Sequence, residues 1–111
     1  MKSHLKINEK RAVTQFINKI KTELGKNIIS VNLFGSKVRG DFDRDSDIDI
    51  LIIVKEYNIS LVNKIVDAQV DFLLKYDANL SPVIFSENEY LKNKELGSPF
   101  FENIEKESVP L

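Results

Sequence analysis

With 111 residues, of which 42% are hydrophobic, the chain is long enough for one domain with a packed core. Its 16 basic and 17 acidic residues nearly cancel, which argues against long nucleic acid as a partner, and the absence of cysteine excludes disulfides, thiolate zinc sites and a cysteine nucleophile. The longest apolar run, residues 50–54, is too short to span a bilayer, and no signal-peptide pattern opens the chain, so we expect a cytoplasmic protein without membrane contact.

The first half of the chain predicts one helix and two strands. Apolar residues recur at helical spacing over roughly residues 8–24, and Gly25 suits the end of that helix. Residues 28–34 are rich in β-branched and aromatic side chains and predict a strand that Gly35 ends. A polar stretch then leads to a second strand over about residues 47–54.

The second half predicts a helix, a strand and a further helix. Asn58 or Ser60 would cap the helix that precedes a strand at about residues 80–85, and Pro82 places this strand at an edge or in an irregular pairing. Ser86 and Glu89 have the spacing of a capping box, which predicts a helix ending near residue 97. The remaining tail, residues 98–111, has room for one short helix, and its mixed charges predict a solvated face. Its first residues, 98–101, are expected to pack on the core, with a partner-docking patch as the alternative.

Together these elements predict a single α/β domain over residues 1–111, with its core at about residues 8–97. The order of elements indicates a small mixed sheet of about three or four strands flanked by helices. The sequence leaves open whether the first two strands run parallel or antiparallel.

Two acidic residues open the second predicted strand. Because side chains alternate along a strand, Asp47 and Asp49 should face the same way, roughly 6–7 Å apart along the backbone. Two carboxylates brought within about 5 Å would repel by roughly 3 kcal/mol at an effective dielectric constant near 20. A proton or a cation must offset that repulsion, and Mg²⁺ accepts one or two carboxylates together with phosphate oxygens. The alternative is a structural salt bridge to Arg39 or Arg44.

The loop before these acids favours a phosphate ligand over the salt bridge. Gly35 permits a sharp turn and a close approach of a ligand to the backbone, and Gly40 permits the return of the chain. Ser36 offers a hydroxyl and an N–H group to a phosphate oxygen, and Lys37 and Arg39 add cationic donors. The loop therefore predicts a nucleotide-binding segment beside a pair of metal-binding acids.

This segment resembles the signature of the DNA polymerase β-like nucleotidyltransferase superfamily. Gly35 and Ser36 are followed, after ten residues, by Asp47 and Asp49, and the segment is most similar to that of the minimal nucleotidyltransferase group. The resemblance implies the polymerase β-like fold, transfer of a nucleoside monophosphate, chiefly AMP, from an NTP to a hydroxyl, and Mg²⁺ or Mn²⁺ held by Asp47 and Asp49. It also implies that Ser36 and the adjacent backbone hold the β- and γ-phosphates, with a HEPN-domain toxin as a partner that the protein neutralises.

One expected feature of the superfamily is missing from the sequence. Its third carboxylate normally lies on the strand after the intervening helix, where residues 80–85 carry no acid. Asp77 and Glu87 flank this strand, but each is predicted to lie at a solvated helix end and not in the site. An alternative function is therefore a weak or inactive nucleotidyltransferase fold that acts by binding a partner protein. Self-association into an oligomer also stays open.

Overall fold

The computed structural model describes residues 4–40 and 47–111. In chain order its elements are α1 (Ile7–Leu24), a 3₁₀ turn (Gly25–Asn27), β1 (Ile28–Phe34), α2 (Ser36–Arg39), β2 (Ile48–Val54), α3 (Ile59–Tyr76), β3 (Leu80–Ser86), α4 (Glu87–Glu95), α5 (Pro99–Glu107) and β4 (Val109–Pro110).

The predicted helix boundaries are confirmed by their caps. Gly25 ends α1 with a φ of 51°, a backbone conformation that glycine adopts at little cost. Asn58, rather than Ser60, caps α3, because its side chain accepts a hydrogen bond from the Leu61 N–H. Ser86 and Glu89 form the predicted capping box at the start of α4.

The described strands form a four-stranded mixed sheet in the order β3-β2-β1-β4. β1 and β2 are antiparallel, which decides the question that the sequence left open. β2 and β3 are parallel because α3 crosses over between them, and β3 lies at the edge, where Pro82 is tolerated. β4 pairs antiparallel with the other side of β1.

The sheet separates two hydrophobic clusters, and β2 contributes to both by strict alternation. Ile48, Ile50, Ile52 and Val54 pack into the larger cluster with α1 and α3. Leu51 and Ile53 belong to the smaller cluster on the opposite face, together with Ile104 of α5. Asp49 shares the parity of Leu51 and Ile53, so it lies at the end of the smaller cluster.

The segment of residues 98–111 belongs to the core, which therefore extends beyond the boundary at residue 97 that the sequence suggested. Phe101 and Ile104 are buried, and the Leu111 N–H donates a hydrogen bond to the Val31 carbonyl. The expected packing of residues 98–101 on the core is borne out at Phe101, whereas the burial of Ile104 further along the helix was not predicted. In the described part of the chain, no helix has the length and apolar character needed to cross a bilayer.

Candidate functional site

Asp49 lies against the loop that follows β1. It is the second residue of β2 and pairs with Phe34, the last residue of β1, so its side chain reaches Gly35 directly. Gly35 has a φ of 80°, and a Cβ atom placed on it would overlap Oδ2 of Asp49. Glycine is therefore required here both by the backbone conformation and by the carboxylate that packs on it.

Asp47 lies immediately before β2 and is exposed. Its Oδ1 accepts a hydrogen bond of 2.5 Å from the side-chain amide of Asn79, which precedes β3. Burial raises the pKa of Asp49, the neighbouring charges of Asp47 and Glu107 raise it further, and Arg39 acts in the opposite direction. The two aspartates therefore interact electrostatically, and a cation beside them would relieve the repulsion.

The other predicted site residues fall on α2 and its ends. Ser36 is the first residue of α2, and Gly40 follows its last residue with a φ of 85°. The amino-terminal segment packs here, since the His4 N–H donates to the Lys37 carbonyl at 2.8 Å. A Cβ atom on Gly40 would lie 2.9 Å from Nε2 of His4, so a second glycine accommodates a close neighbour.

Lys37 has a different environment from the one predicted. Its side chain is fully buried, and its Nζ lies 3.2 Å from Oε2 of Glu9 in α1. Oε1 of Glu9 accepts a hydrogen bond from the Lys6 N–H at 2.9 Å. The Lys37 ammonium thus faces the interior and ties α2 to α1, which corrects the prediction that it contacts a phosphate.

The sequence contained a signal for this ion pair. Glu9 precedes Ala12, Val13 and Phe16 by three, four and seven residues, so it lies on the buried face of α1. A carboxylate on such a face needs a partner of opposite charge. Lys37 supplies that charge.

Glu107, the last residue of α5, is a site residue that the sequence analysis assigned to a solvated face. Its Oε1 accepts a hydrogen bond from the Gly35 N–H at 3.3 Å and one from Nη1 of Arg39 at 2.9 Å. The same Nη1 lies 3.1 Å from Oε2. Arg39 is thus paired with Glu107, and its positive charge also acts on Asp49, whose pKa it lowers. Arg44 lies outside the described residues.

The parallel strand next to β2 carries no acidic residue beside Asp49. Ser81 is the partner of Asp49 on the neighbouring parallel strand, so a hydroxyl occupies that position. Asp77 is the exposed end residue of α3, with a φ of 53°, and Glu87 is exposed at the start of α4. Residues 4–40 and 47–111 contain no group of three acidic or imidazole side chains able to hold a metal ion.

Known structures place this architecture in a fold class. A crystal structure of a candidate nucleotidyltransferase from Sulfolobus solfataricus superimposes with a TM-score of 0.53 at 20% identity, covering 94% of this chain and 79% of that one. A toxin–antitoxin complex with AMP-PNP contains a chain that superimposes with a TM-score of 0.55 at 16% identity, covering 86% of this chain and 69% of that one. At these identities the likeness establishes the nucleotidyltransferase fold.

Sequence comparison establishes the family. The profile of the nucleotidyltransferase domain family matches residues 13–111, and the chain belongs to this family. Two relatives from Methanocaldococcus jannaschii carry names that describe them as candidate protein adenylyltransferases. One is 36% identical over 101 residues, which span 88% of this chain and 92% of the relative. The other is 40% identical over 74 residues, which span 66% of this chain and 75% of the relative.

Proposed function

We propose that this chain is a Mg²⁺-dependent nucleotidyltransferase that transfers a nucleoside monophosphate, chiefly AMP, from an NTP to a hydroxyl acceptor. The observation that carries the proposal is the contact of the Asp49 carboxylate with Gly35, next to Asp47. This contact joins two interacting carboxylates to the loop that begins at Gly35. ATP and Mg²⁺ are both abundant in the cytoplasm, the location that we expect.

The carboxylate pair fits a hard divalent ion. Both ligands are oxygen atoms, and the raised pKa of Asp49, caused first by burial and then by Asp47, marks a charge that a cation would stabilise. Two carboxylates suit an ion that arrives with the triphosphate and completes its coordination with phosphate oxygens and water. When bound, Mg²⁺ or Mn²⁺ would neutralise charge on the triphosphate and on the leaving pyrophosphate.

The residues of the loop would bind and orient the phosphates. We assign the Gly35 N–H, Ser36 and the Arg39 guanidinium to the phosphate oxygens, and Gly40 to the return of the chain. Asn79 would hold Asp47 in place through its amide. Lys37 is not one of the proposed phosphate-binding residues, because its ammonium pairs with Glu9 inside the protein.

We propose a partner protein as the acceptor. The relatives are named for protein adenylylation, and one structural neighbour is part of a toxin–antitoxin complex with AMP-PNP. An acceptor hydroxyl would attack the α-phosphorus and release pyrophosphate, and the hydroxyl proton would pass to solvent. The resemblance of the loop suggests a HEPN-domain toxin, which the modification would neutralise.

The test is transfer of label from α-labelled ATP to a HEPN-domain partner in the presence of Mg²⁺. Asp47→Asn and Asp49→Asn should each reduce transfer by more than about 100-fold, because both remove a proposed metal ligand. Asp67→Asn, an exposed position on α3, is the matched control and should transfer at the wild-type rate. If the aspartate variants transfer label as fast as the control, the proposed chemistry is wrong.

The second candidate function is neutralisation of a partner by binding alone. It is favoured by the absence of an acid beside Asp49 on the neighbouring strand, where Ser81 carries a hydroxyl. A variant carrying both Asp47→Asn and Asp49→Asn separates the two functions. Full neutralisation of the partner by this variant would establish binding, and loss of neutralisation with binding retained would establish catalysis.

A further inference from the structure

The carboxylate of Glu107 is held by two donors of the loop to which we assign phosphate binding. A backbone N–H of Gly35 and Nη1 of Arg39 both donate to Oε1, and Nη1 also lies within hydrogen-bond distance of Oε2. The side chain of Glu107 is 21% exposed and that of Arg39 is 47% exposed, so the pair is partly open to solvent and can be reached by a ligand. A backbone N–H combined with a guanidinium is also the arrangement that recognises phosphate oxygens.

The position of Glu107 is fixed by the helix that carries it. Ile104, one turn earlier in α5, is buried in the smaller hydrophobic cluster, and β4 follows immediately and pairs with β1. The end of α5 is therefore fixed on one side by the burial of Ile104 and on the other by the pairing of β4 with β1. These two constraints place the Glu107 carboxylate beside Gly35.

Helix stability does not account for a glutamate at this position. Glu107 is the last residue of α5, where the partial negative charge of the helix end disfavours a carboxylate. Its negative charge also faces Asp49 and contributes to the raised pKa of that residue. Both effects cost free energy, and the bonds to Gly35 and Arg39 offset them.

We propose that Glu107 is an internal competitor of the triphosphate and thereby sets the nucleotide affinity of the site. The proposal rests on the proposed function for the identity of the ligand. A triphosphate oxygen that bonds to Nη1 of Arg39 and to the Gly35 N–H must take the place of the Glu107 carboxylate, because both groups are anionic acceptors for the same protons. A charged phosphate chain can displace the carboxylate, whereas a neutral ligand cannot.

The experiment removes the charge of Glu107 and keeps its shape. Glu107→Gln retains an oxygen acceptor for the Gly35 N–H but lowers the competition for Arg39. We expect inorganic pyrophosphate and Mg–ATP each to bind about three- to tenfold more tightly by calorimetry, the range expected for one partly buried like charge beside the ligand.

The matched control is Glu105→Gln on the same helix. Glu105 is more exposed and pairs with Lys94 at 2.8 Å, so it carries the same charge without contacting the loop. Its substitution should leave both affinities within about twofold of wild type. In an Arg39→Gln background, Glu107→Gln should have a smaller effect, because one of the two contested donors is absent while the Gly35 N–H remains.

The outcomes separate this inference from the proposed function. Weaker or unchanged pyrophosphate binding in Glu107→Gln, with the fold intact by circular dichroism, overturns the competitor role and shows that Glu107 only positions the loop. Tighter pyrophosphate binding that shifts the Gly35 amide resonance supports it even if no nucleotide is transferred. In that case the proposed function fails and the inference stands.

Discussion

The contact between Asp49 and Gly35 requires glycine at position 35, because a Cβ atom there would overlap the Asp49 carboxylate. Gly35→Ala would force the backbone out of its left-handed conformation or push the Asp49 carboxylate away. We expect a loss of about 2–4 kcal/mol, from a strain of roughly 1–2 kcal/mol and a comparable cost for the overlap. Chemical denaturation measures this loss, and label transfer should fall with it.

Gly97 offers a matched control for that substitution. It has a φ of 68°, and a Cβ atom there would meet nothing within 4 Å. Gly97→Ala should therefore cost only the backbone strain, about 1–2 kcal/mol. Equal losses for the two variants would show that the Asp49 carboxylate does not constrain residue 35.

The charge of Asp49 should destabilise the fold at neutral pH. Its pKa is raised from 3.8 by burial first, then by Asp47 and Glu107. Stability is therefore fully present below the ordinary pKa and declines as the pH rises through the raised pKa. Asp49→Asn should increase Tm at pH 7 by about 2 °C, a small value because the half-exposed carboxylate is partly screened.

The pH dependence distinguishes this effect from a general effect of asparagine. The difference in Tm between variant and wild type should shrink as the pH falls toward 3.8, where the wild-type carboxyl becomes neutral. Asp67→Asn on the exposed face of α3 should change Tm little at pH 7. A lower Tm for Asp49→Asn at pH 7 would contradict the prediction.

At the scale of elements, the ion pair of Lys37 and Glu9 joins α2 to α1. Lys37 is fully buried and the side chain of Glu9 is 8% exposed. Lys37→Met should cost about 3–5 kcal/mol, because it leaves a buried carboxylate without its counter-charge. Adding Glu9→Gln should recover part of that loss, since the amide still accepts from the Lys6 N–H.

An exposed ion pair provides the comparison. Lys19 and Asp71 join α1 to α3 at 3.0 Å, with side chains 37% and 60% exposed. Lys19→Met should cost less than about 1 kcal/mol. If the two lysine substitutions proved equally costly in urea denaturation, burial would not be the cause.

At the scale of the whole molecule, the carboxyl-terminal segment closes one face of the sheet. Phe101 is 6% exposed, and its ring centroid lies 5.2 Å from that of Phe85 and 5.4 Å from that of Tyr90. Phe101→Ala should lower the free energy of unfolding by about 3–5 kcal/mol. Glu107 would lose its support, so nucleotide binding should change as well.

The adjacent phenylalanine is the control for aromatic content. Phe100 is 45% exposed and contacts Phe34 edge-to-face at a centroid distance of 6.1 Å. Phe100→Ala should cost about 1–2 kcal/mol, because less apolar area leaves water. A cost for Phe100→Ala that matched that of Phe101→Ala would mean that α5 is not anchored by its buried face.

Most of the architecture could be predicted from local sequence. The strand of residues 28–34, the capping box at Ser86 and the edge position of Pro82 depend on neighbouring residues only, and each is confirmed. The relative direction of the first two strands and the burial of Ile104 depend on which surfaces of distant segments meet. Periodicity within one segment does not contain that information.

The sequence by itself determined the family and the order of the elements. It also predicted Gly35 and the two aspartates as one site, but the antiparallel pairing of β1 and β2 in the tertiary structure is what brings Asp49 to Gly35. Only the tertiary structure decided that Lys37 turns inward to Glu9 and that Glu107 reaches the Gly35 loop. Glu107 and Gly35 are 72 residues apart, and their contact depends on the packing of α5 against the sheet, which no local pattern specifies.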